Sequence, residues 1–327
     1  MRHVSILVPR GHSSVVNIGG THQILSLVNE MLVGMGRKPV FDVHLVGLDM
    51  ETRQTTGLFS IVPDRLIGDV DKTDLIIVPA IHGDPKAGYD ANEGFVPWMI
   101  DQYNSGAEVA SFCVGAFFLA YAGLLDGRKC ATHWMHANDF RRRFPQIELI
   151  DEKIITEEDR IYTSGGAYAF LNLLLHLIEK YAGREAAILS AKAFSIDIDR
   201  SSQSAFIIFT GQKEHADEAV AQAQSFIEDN YEQQIRVNDL ADQLGLSRRT
   251  FERRFKSATS NTVTEYVQRV KIEAAKRMLE TTRKNVNEVM FDVGYSDTKA
   301  FRNVFRRVTG LTPIDYRTKY NRDAVAA

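Results

Sequence analysis

The sequence predicts a two-part chain, an α/β domain with a mostly parallel sheet over residues 1–210 and an all-α domain over residues 211–327. Three observations carry that reading. In the first part, apolar β-branched runs alternate with helical patterns; near residue 210 the strand-like runs stop; and the second part holds one helical unit written twice. Continuous apolar strands separated by helices imply a parallel sheet covered on both faces. A length of 327 residues also suits two domains better than one.

Taken in order, HVSILVP reads as the first strand and HQILSLVNEMLVGMG as the helix behind it. FDVHLVGL, DLIIVPA and AEVASF read as further strands, with helices at EGFVPWMIDQYNSG, VGAFFLAYAGLLDG and AYAFLNLLLHLIEKYAG. The opening run is broken by Pro9 and Arg10, which makes it too short for a signal peptide or a membrane span. Only two cysteines, Cys113 and Cys130, fit a reducing compartment. The expectation is a cytoplasmic protein without a membrane partner. The sequence contains no glycine-rich phosphate loop, so no cofactor is expected.

In parallel sheets, ligands bind at the carboxyl ends of strands. Pro79 to Gly83, Cys113 and His133 all fall at or near such ends. Within SFCVGAFFLA, Cys113 stands between strand and helix, the layout of a nucleophile elbow. A base, a positive charge or a helix N-terminus activates a thiol by lowering its pKa. Cys113 has the helix, and His133 is the candidate base. His133 and His136 are three residues apart, but no Asp, Glu or Cys completes a cluster with them. A pocket histidine beside a surface histidine is the favoured reading, and no metal is expected.

Charge is distributed unevenly. Residues 247–322 carry 18 Lys and Arg against 8 Asp and Glu, whereas the rest of the chain carries 21 against 34. A basic module attached to an acidic one suggests a polyanionic partner.

The repeat says which polyanion. VNDLADQLGLS, from Val237, matches VNEVMFDVGYS, from Val286, with Gly245 against Gly294 and Ser247 against Ser296. One residue is then gained, and Phe251, Phe255, Thr262 and Tyr266 match Phe301, Phe305, Thr312 and Tyr316. Each copy reads as helix, glycine turn, second helix: the helix-turn-helix pattern, whose second helix enters the DNA major groove. Ser247 and Ser296 are the expected N-caps, and the paired phenylalanines face the core. Between the copies runs an amphipathic helix, EYVQRVKIEAAKRMLETT, with Val267, Val270, Ile272, Ala275, Met278 and Leu279 available to both. Such a connector suits two recognition helices set about one DNA turn apart, roughly 34 Å.

The polar faces of the recognition helices carry Arg248, Arg249, Thr250, Arg253 and Lys256 in the first unit, and Thr298, Lys299, Arg302, Asn303, Arg306 and Arg307 in the second. Arginine pairs bidentately with guanine and asparagine with adenine. Base reading is assigned to Arg249, Arg253, Lys299, Arg302 and Asn303, and phosphate contact to Lys256, Arg306 and Arg307. Glu252 is placed to orient a neighbouring arginine or to accept from cytosine.

Two family resemblances follow. ASFCVGAFFLAYAGLLDGRKCATHW resembles the elbow and histidine segment of the class I glutamine amidotransferase-like (ThiJ/PfpI) superfamily. TSGGAYAFLNLLLHLIEKYAGREAAILSAKAFSIDIDRSSQ resembles the segment closing that domain in its transcription-factor branch. Together they cover about residues 3–210 and imply a flavodoxin-like sandwich. Against the enzymatic members, Asn17 stands in the stretch that supplies a carboxylate, Val114 where peptidase-like members carry histidine, and Ile81-His82 where small residues form the oxyanion loop. The resemblance therefore implies a pocket without catalysis, lined by Asn17, Ile81, His82, Gly83, Cys113, Val114 and His133, that senses a ligand. A cysteine hydrolase or amidase fused to a DNA-binding tail, and a purely structural dimerisation domain, remain alternatives.

Residues 217–320 resemble the AraC/XylS family DNA-binding domain, through LADQLGLSRRTFERRFK, VKIEAAKRML and VMFDVGYSDTKAFRNVFRRVTGLTPIDYR. One departure is SNTV, Ser260 to Val263, where the second copy has GLTP. The combined resemblance implies a transcriptional regulator whose partners are double-stranded DNA, a small nitrogenous effector, a second copy of the chain and RNA polymerase.

Overall fold

A computed structural model describes residues 1–50 and 60–321 and divides into two compact units, residues 1–203 and 204–327. The division falls seven residues before the expected 210/211 boundary, because the helical turn Ser204–Phe206 belongs to the second unit.

In the first unit the strands are β1 (Arg2–Leu7), β2 (Phe41–Gly47), β3 (Arg65–Leu66), β4 (Leu75–Val78), β5 (Glu108–Ser111), β6 (Lys129–Cys130), β7 (Glu148–Leu149), β8 (Ile155–Glu158) and β9 (Ile161–Ser164). The helices are α1 (Val15–Gly34), α2 (Pro85–Asn92), α3 (Phe95–Asn104), α4 (Gly115–Tyr121), α5 (Ala137–Arg143), α6 (Ala169–Ala182) and α7 (Arg184–Ala193). Seven strands form one sheet in the order β3-β2-β1-β4-β5-β9-β8, parallel except for the β8–β9 hairpin; β6 and β7 form a separate parallel pair. Side chains alternate between the sheet's two faces. Ile76 and Val78 pack with Phe95, Met99 and Phe117 on one face, and Leu75 and Ile77 with Ile24, Leu25 and Leu174 on the other. Two buried faces are why these strands read as unbroken apolar runs.

Some expected elements shift. The first helix starts at Val15 rather than His22, with Ser14 accepting from the Asn17 N–H. The elbow helix ends at Tyr121, since Gly123 and Gly127 turn at φ +76° and +70°. α2 and the β8–β9 hairpin were not expected.

The second unit contains α8 (Glu218–Asp229), α9 (Val237–Gln243), α10 (Arg248–Thr259), α11 (Val263–Thr281), α12 (Val286–Asp292), α13 (Thr298–Thr309) and α14 (Pro313–Tyr320). It has two cores. Phe251, Phe255 and Tyr266 pack with Val220 and Leu240, and Phe301, Phe305 and Tyr316 pack with Val289 and Met290. α11 serves both: Val263, Val267 and Val270 lie in the first core, and Ile272, Ala275, Met278 and Leu279 in the second.

Candidate functional site

In the first unit, the strand order reverses at the β1/β4 junction, and in parallel sheets such a reversal is where a ligand crevice forms at the carboxyl ends of the strands. The loops on its two sides are stitched together. Ser13 and Ile81 form an antiparallel bridge, Ser14 N–H donates to the Ala80 carbonyl at 2.9 Å, and His82 N–H to the His12 carbonyl at 2.7 Å. Asn17, almost fully buried, accepts from the Ala80 N–H at 3.1 Å. The amide that stands in place of a carboxylate thus holds the loop, and the N–H groups of Ala80 and His82 already have partners.

Cys113 lies beside this crevice with φ +57°, in the left-handed region that a non-glycine residue rarely adopts. The strain is held by its surroundings: Cys113 N–H donates to the Ser164 carbonyl at 3.2 Å, and its carbonyl accepts from Thr132 Oγ1 at 2.9 Å. Gly115 is required two residues on, because a Cβ there would stand 2.8 Å from the Pro79 carbonyl oxygen. The sequence C-V-G is therefore a backbone solution to bringing α4 against the end of β4.

The elbow geometry is present, but the expected activation of the thiol is reversed. Burial pushes the Cys113 thiol above its ordinary value, and the backbone N–H groups of Ala167 and Val114 only partly offset this. The tautomer of His133 is set by the backbone. Its Nδ1 accepts from the Met135 N–H at 3.1 Å, so the proton of the neutral ring resides on Nε2, which is then a donor. Burial first, then His136 and His82, lower the His133 pKa to about 4 and keep that ring neutral.

Four imidazoles from the loops at the carboxyl ends of the strands interact with one another. His12 and His82 have ring centroids 5.1 Å apart, His133 and His136 5.9 Å apart, and His136 acts electrostatically on both His82 and His133. His82 is lowered as well, by burial and then by His12 and His136. Ile81 is half-buried, Gly83 is exposed at φ +96°, and Val114 is buried at the elbow. Sequence reasoning missed His12, which no elbow motif includes. It also missed Gln203, 1% exposed, whose side chain donates to the carbonyls of Thr132 and Asp151 and accepts from Gly166 N–H, fastening three loops behind the site.

In the second unit the two helix-turn-helix copies are α9–α10 and α12–α13, turning at Gly245 (φ +65°) and Gly294 (φ +72°). Ser247 caps α10, accepting from Thr250 N–H. The expected cap Ser296 is corrected to Asp297, whose carboxylate accepts from Ala300 N–H at 2.8 Å. The departure SNTV leaves the turn unchanged. Ser260 takes φ +58° where Gly310 takes +76°, and Thr259 and Thr309 make matching bonds to the backbone on both sides.

Arg249, Arg253, Lys256, Lys299, Arg302, Asn303, Arg306 and Arg307 are exposed, and Thr250 and Thr298 half-buried at the helix starts. Among the described residues, Arg249, Arg253, Lys299, Arg302 and Asn303 have no side-chain hydrogen bond or ion pair. Others are engaged. Arg248 pairs with Glu252 at 3.0 Å, the orienting role foreseen for that glutamate, and Arg307 donates to Gln268 on α11. Arg254 binds Asp217 through two nitrogens, at 2.8 and 2.6 Å, and so fastens α10 to the start of α8.

Comparison with known proteins agrees with both halves. Residues 31–180 match the DJ-1/PfpI family, and residues 240–319 match a helix-turn-helix domain. The chain is 28% identical over 216 residues to the HTH-type transcriptional regulator ArgR of Pseudomonas aeruginosa, covering 66% of this chain and 65% of that protein. It is 25% identical over 310 residues to the HTH-type transcriptional regulator GbdR of the same species, covering 93% and 81%. A crystal structure of a putative transcriptional regulator from Vibrio parahaemolyticus superimposes with TM-score 0.52 at 26% identity, covering 59% of this chain and 98% of that one. The class so defined is a DNA-binding transcriptional regulator. Its particular form joins a DJ-1/PfpI domain to an AraC-type helix-turn-helix domain.

Proposed function

We propose that the protein controls transcription by reading an operator with α10 and α13, under the control of a small effector bound beside Cys113. The observation that carries the reading is the set of five exposed side chains on those helices, Arg249, Arg253, Lys299, Arg302 and Asn303, that bond to nothing else among the described residues. Long polar side chains left unpaired on one helix face are what base-edge readout requires. Lys256, Arg306 and Arg307 take the phosphates, Ser247, Arg248, Thr250 and Thr298 complete the surface, and the DNA is double-stranded.

The effector site comprises Ile81, His82, Gly83, Cys113, Val114 and His133, with His12 and His136 added and Asn17 holding the loop beneath. We assign it no catalysis, because the thiol is raised and His133 presents a donor rather than a lone pair. A small nitrogenous metabolite with an acidic group fits an imidazole-lined mouth. A homodimer in the cytoplasm, acting on RNA polymerase, completes the proposal. Among the described residues no helix is long and apolar enough to cross a membrane.

The test is quantitative binding of a promoter fragment. Arg302→Ala and Asn303→Ala should each lose about 1–3 kcal/mol of discrimination at one base position. Equal weakening on every sequence would remove them from base reading. Cys113→Ala should regulate as the parent does; a turnover abolished by that substitution would restore the hydrolase alternative.

A further inference from the structure

The amino end of the sheet, opposite the elbow, carries imidazoles and carboxylates that the regulator reading leaves unused. His3 lies on β1 and pairs in register with Asp42 on β2; His44, two residues on from Asp42, shares its face. Each of the three offers one ligand atom, and these atoms all lie within 4.8 Å of one another. The His3 and His44 rings stack with centroids 4.9 Å apart.

Hydrogen bonding determines which ring nitrogens are left over. Thr73 Oγ1 lies 3.1 Å from the His3 carbonyl and 3.3 Å from the Leu75 carbonyl, and can give its single proton to either. His3 Nδ1 lies 3.1 Å from the same Oγ1, and the tautomer that donates to it leaves Nε2 with its lone pair free for a ligand role. His44 stands between two carboxylates: Nδ1 is 3.3 Å from Asp64 Oδ2, and Nε2 is 3.2 Å from Asp42 Oδ1. A neutral imidazole has one N–H, so one of those contacts sets a lone pair against an anion. A cation between Nε2 and Asp42 removes the conflict. A carboxylate on the far nitrogen is also how metal-bound histidines are oriented.

We propose that His3, Asp42 and His44 bind one divalent transition-metal ion of the imidazole-preferring kind, such as Zn2+, with Thr73 and Asp64 orienting the two rings. Two imidazoles and one carboxylate suit zinc and its neighbours and do not suit Mg2+ or Ca2+, which take oxygen donors. At zinc bond lengths of about 2.0–2.2 Å, tetrahedral ligand atoms sit roughly 3.4 Å apart. His44 Nε2 and Asp42 Oδ1, 3.2 Å apart, already have that spacing, so the closure falls mainly to His3, and the open position takes water. The ion ties β1 to β2 and, through the orienting bonds, to the segments bearing Asp64 and Thr73.

Metal-free full-length protein titrated calorimetrically with Zn2+, and by visible spectroscopy with Co2+, tests the site. One equivalent should bind, with tetrahedral Co2+ absorption and a Tm rise of several degrees. His3→Gln and His44→Gln should lose the ion, Asp64→Asn should weaken it about 10- to 100-fold, and the His82→Gln/His136→Gln pair should keep it. The proposal fails if the parent takes up no stoichiometric Zn2+. It fails equally if the ion survives in folded His3→Gln and His44→Gln, or leaves with the elbow histidines instead. Should a histidine variant not fold, Asp42→Asn decides: unchanged affinity and an unchanged Co2+ spectrum there overturn the site.

Discussion

Cys113 is subject to two opposed influences, and their balance is measurable. The start of a helix favours a thiolate, but α4 has only seven residues, and Cys113 is 6% exposed. Burial wins, and the thiol is raised. Alkylation by iodoacetamide at pH 7.5 should therefore run at least about tenfold slower than for an exposed cysteine. Cys130, buried and pushed up to about 12, should be equally inert. Labelling of Cys113 as fast as a free thiol would return it to the list of nucleophiles. His133 makes a second prediction, in pH. Its folded value, about 4, lies below the unfolded 6.5, so the unfolded chain binds more protons between those limits. Stability of the first unit should be complete above pH 6.5 and fall as pH drops toward 4. Because the ring is partly exposed, the loss is at most about 2 kcal/mol. Thermal melts of parent and His133→Gln from pH 7 to 5 check the sign: the parent's Tm should fall faster. Parallel pH slopes would show that His133 titrates normally.

At the scale of elements, the second unit was legible because it is one solution used twice. Phe251/Phe255 and Phe301/Phe305 are buried at the same steps, Thr262 and Thr312 both cap the helix that follows, and both copies leave the recognition helix through a left-handed residue. Ser260 is the costly member of that last pair. Ser260→Gly should relieve about 1–2 kcal/mol of left-handed strain, less about 0.5–1 kcal/mol of added chain entropy. The expected net gain, near 0.5–1 kcal/mol, would appear as a higher denaturation midpoint at constant slope. Gly294 is the opposite case: a Cβ there would stand 2.1 Å from the Glu232 carbonyl oxygen and 2.6 Å from Lys271 Nζ, at φ +72°. Gly294→Ala should cost at least about 1–3 kcal/mol, and an unchanged midpoint would contradict that packing. The first unit was legible where strands are buried on both faces, as in β1, β4 and β5. The β8–β9 hairpin was hidden because its two-residue turn, Asp159-Arg160, takes φ +48° and +65° without the Asn-Gly signature such turns prefer. At the elbow, the motif positions were readable. The spacing could not reveal that Asn17 would be committed to Ala80, that Met135 would fix the His133 tautomer, or that His12 would come from a different loop.

For the whole molecule, the uneven charge sets how binding should respond to salt. The 18 basic residues of 247–322 face 8 acidic ones, and several of those acids are already committed inside the fold: Glu252 to Arg248, Glu273 to Lys276, Asp292 to Lys284. The free cations therefore lie mainly on the recognition helices. Each phosphate neutralised releases condensed counterions and contributes about −0.9 to the slope of log K against log salt. Lys256→Ala and Arg306→Ala should each flatten that slope by about one unit while leaving the ranking of operator variants intact. Arg249→Ala and Arg302→Ala should do the reverse, changing the ranking while the slope moves little. Fluorescence anisotropy on a panel of single-base operator variants, at salt concentrations from about 50 to 200 mM, separates the two classes. If Arg249 and Arg302 flatten the slope and spare the ranking, the assignment of base and phosphate contacts is inverted, and α10 and α13 lie in the groove turned from the orientation argued above.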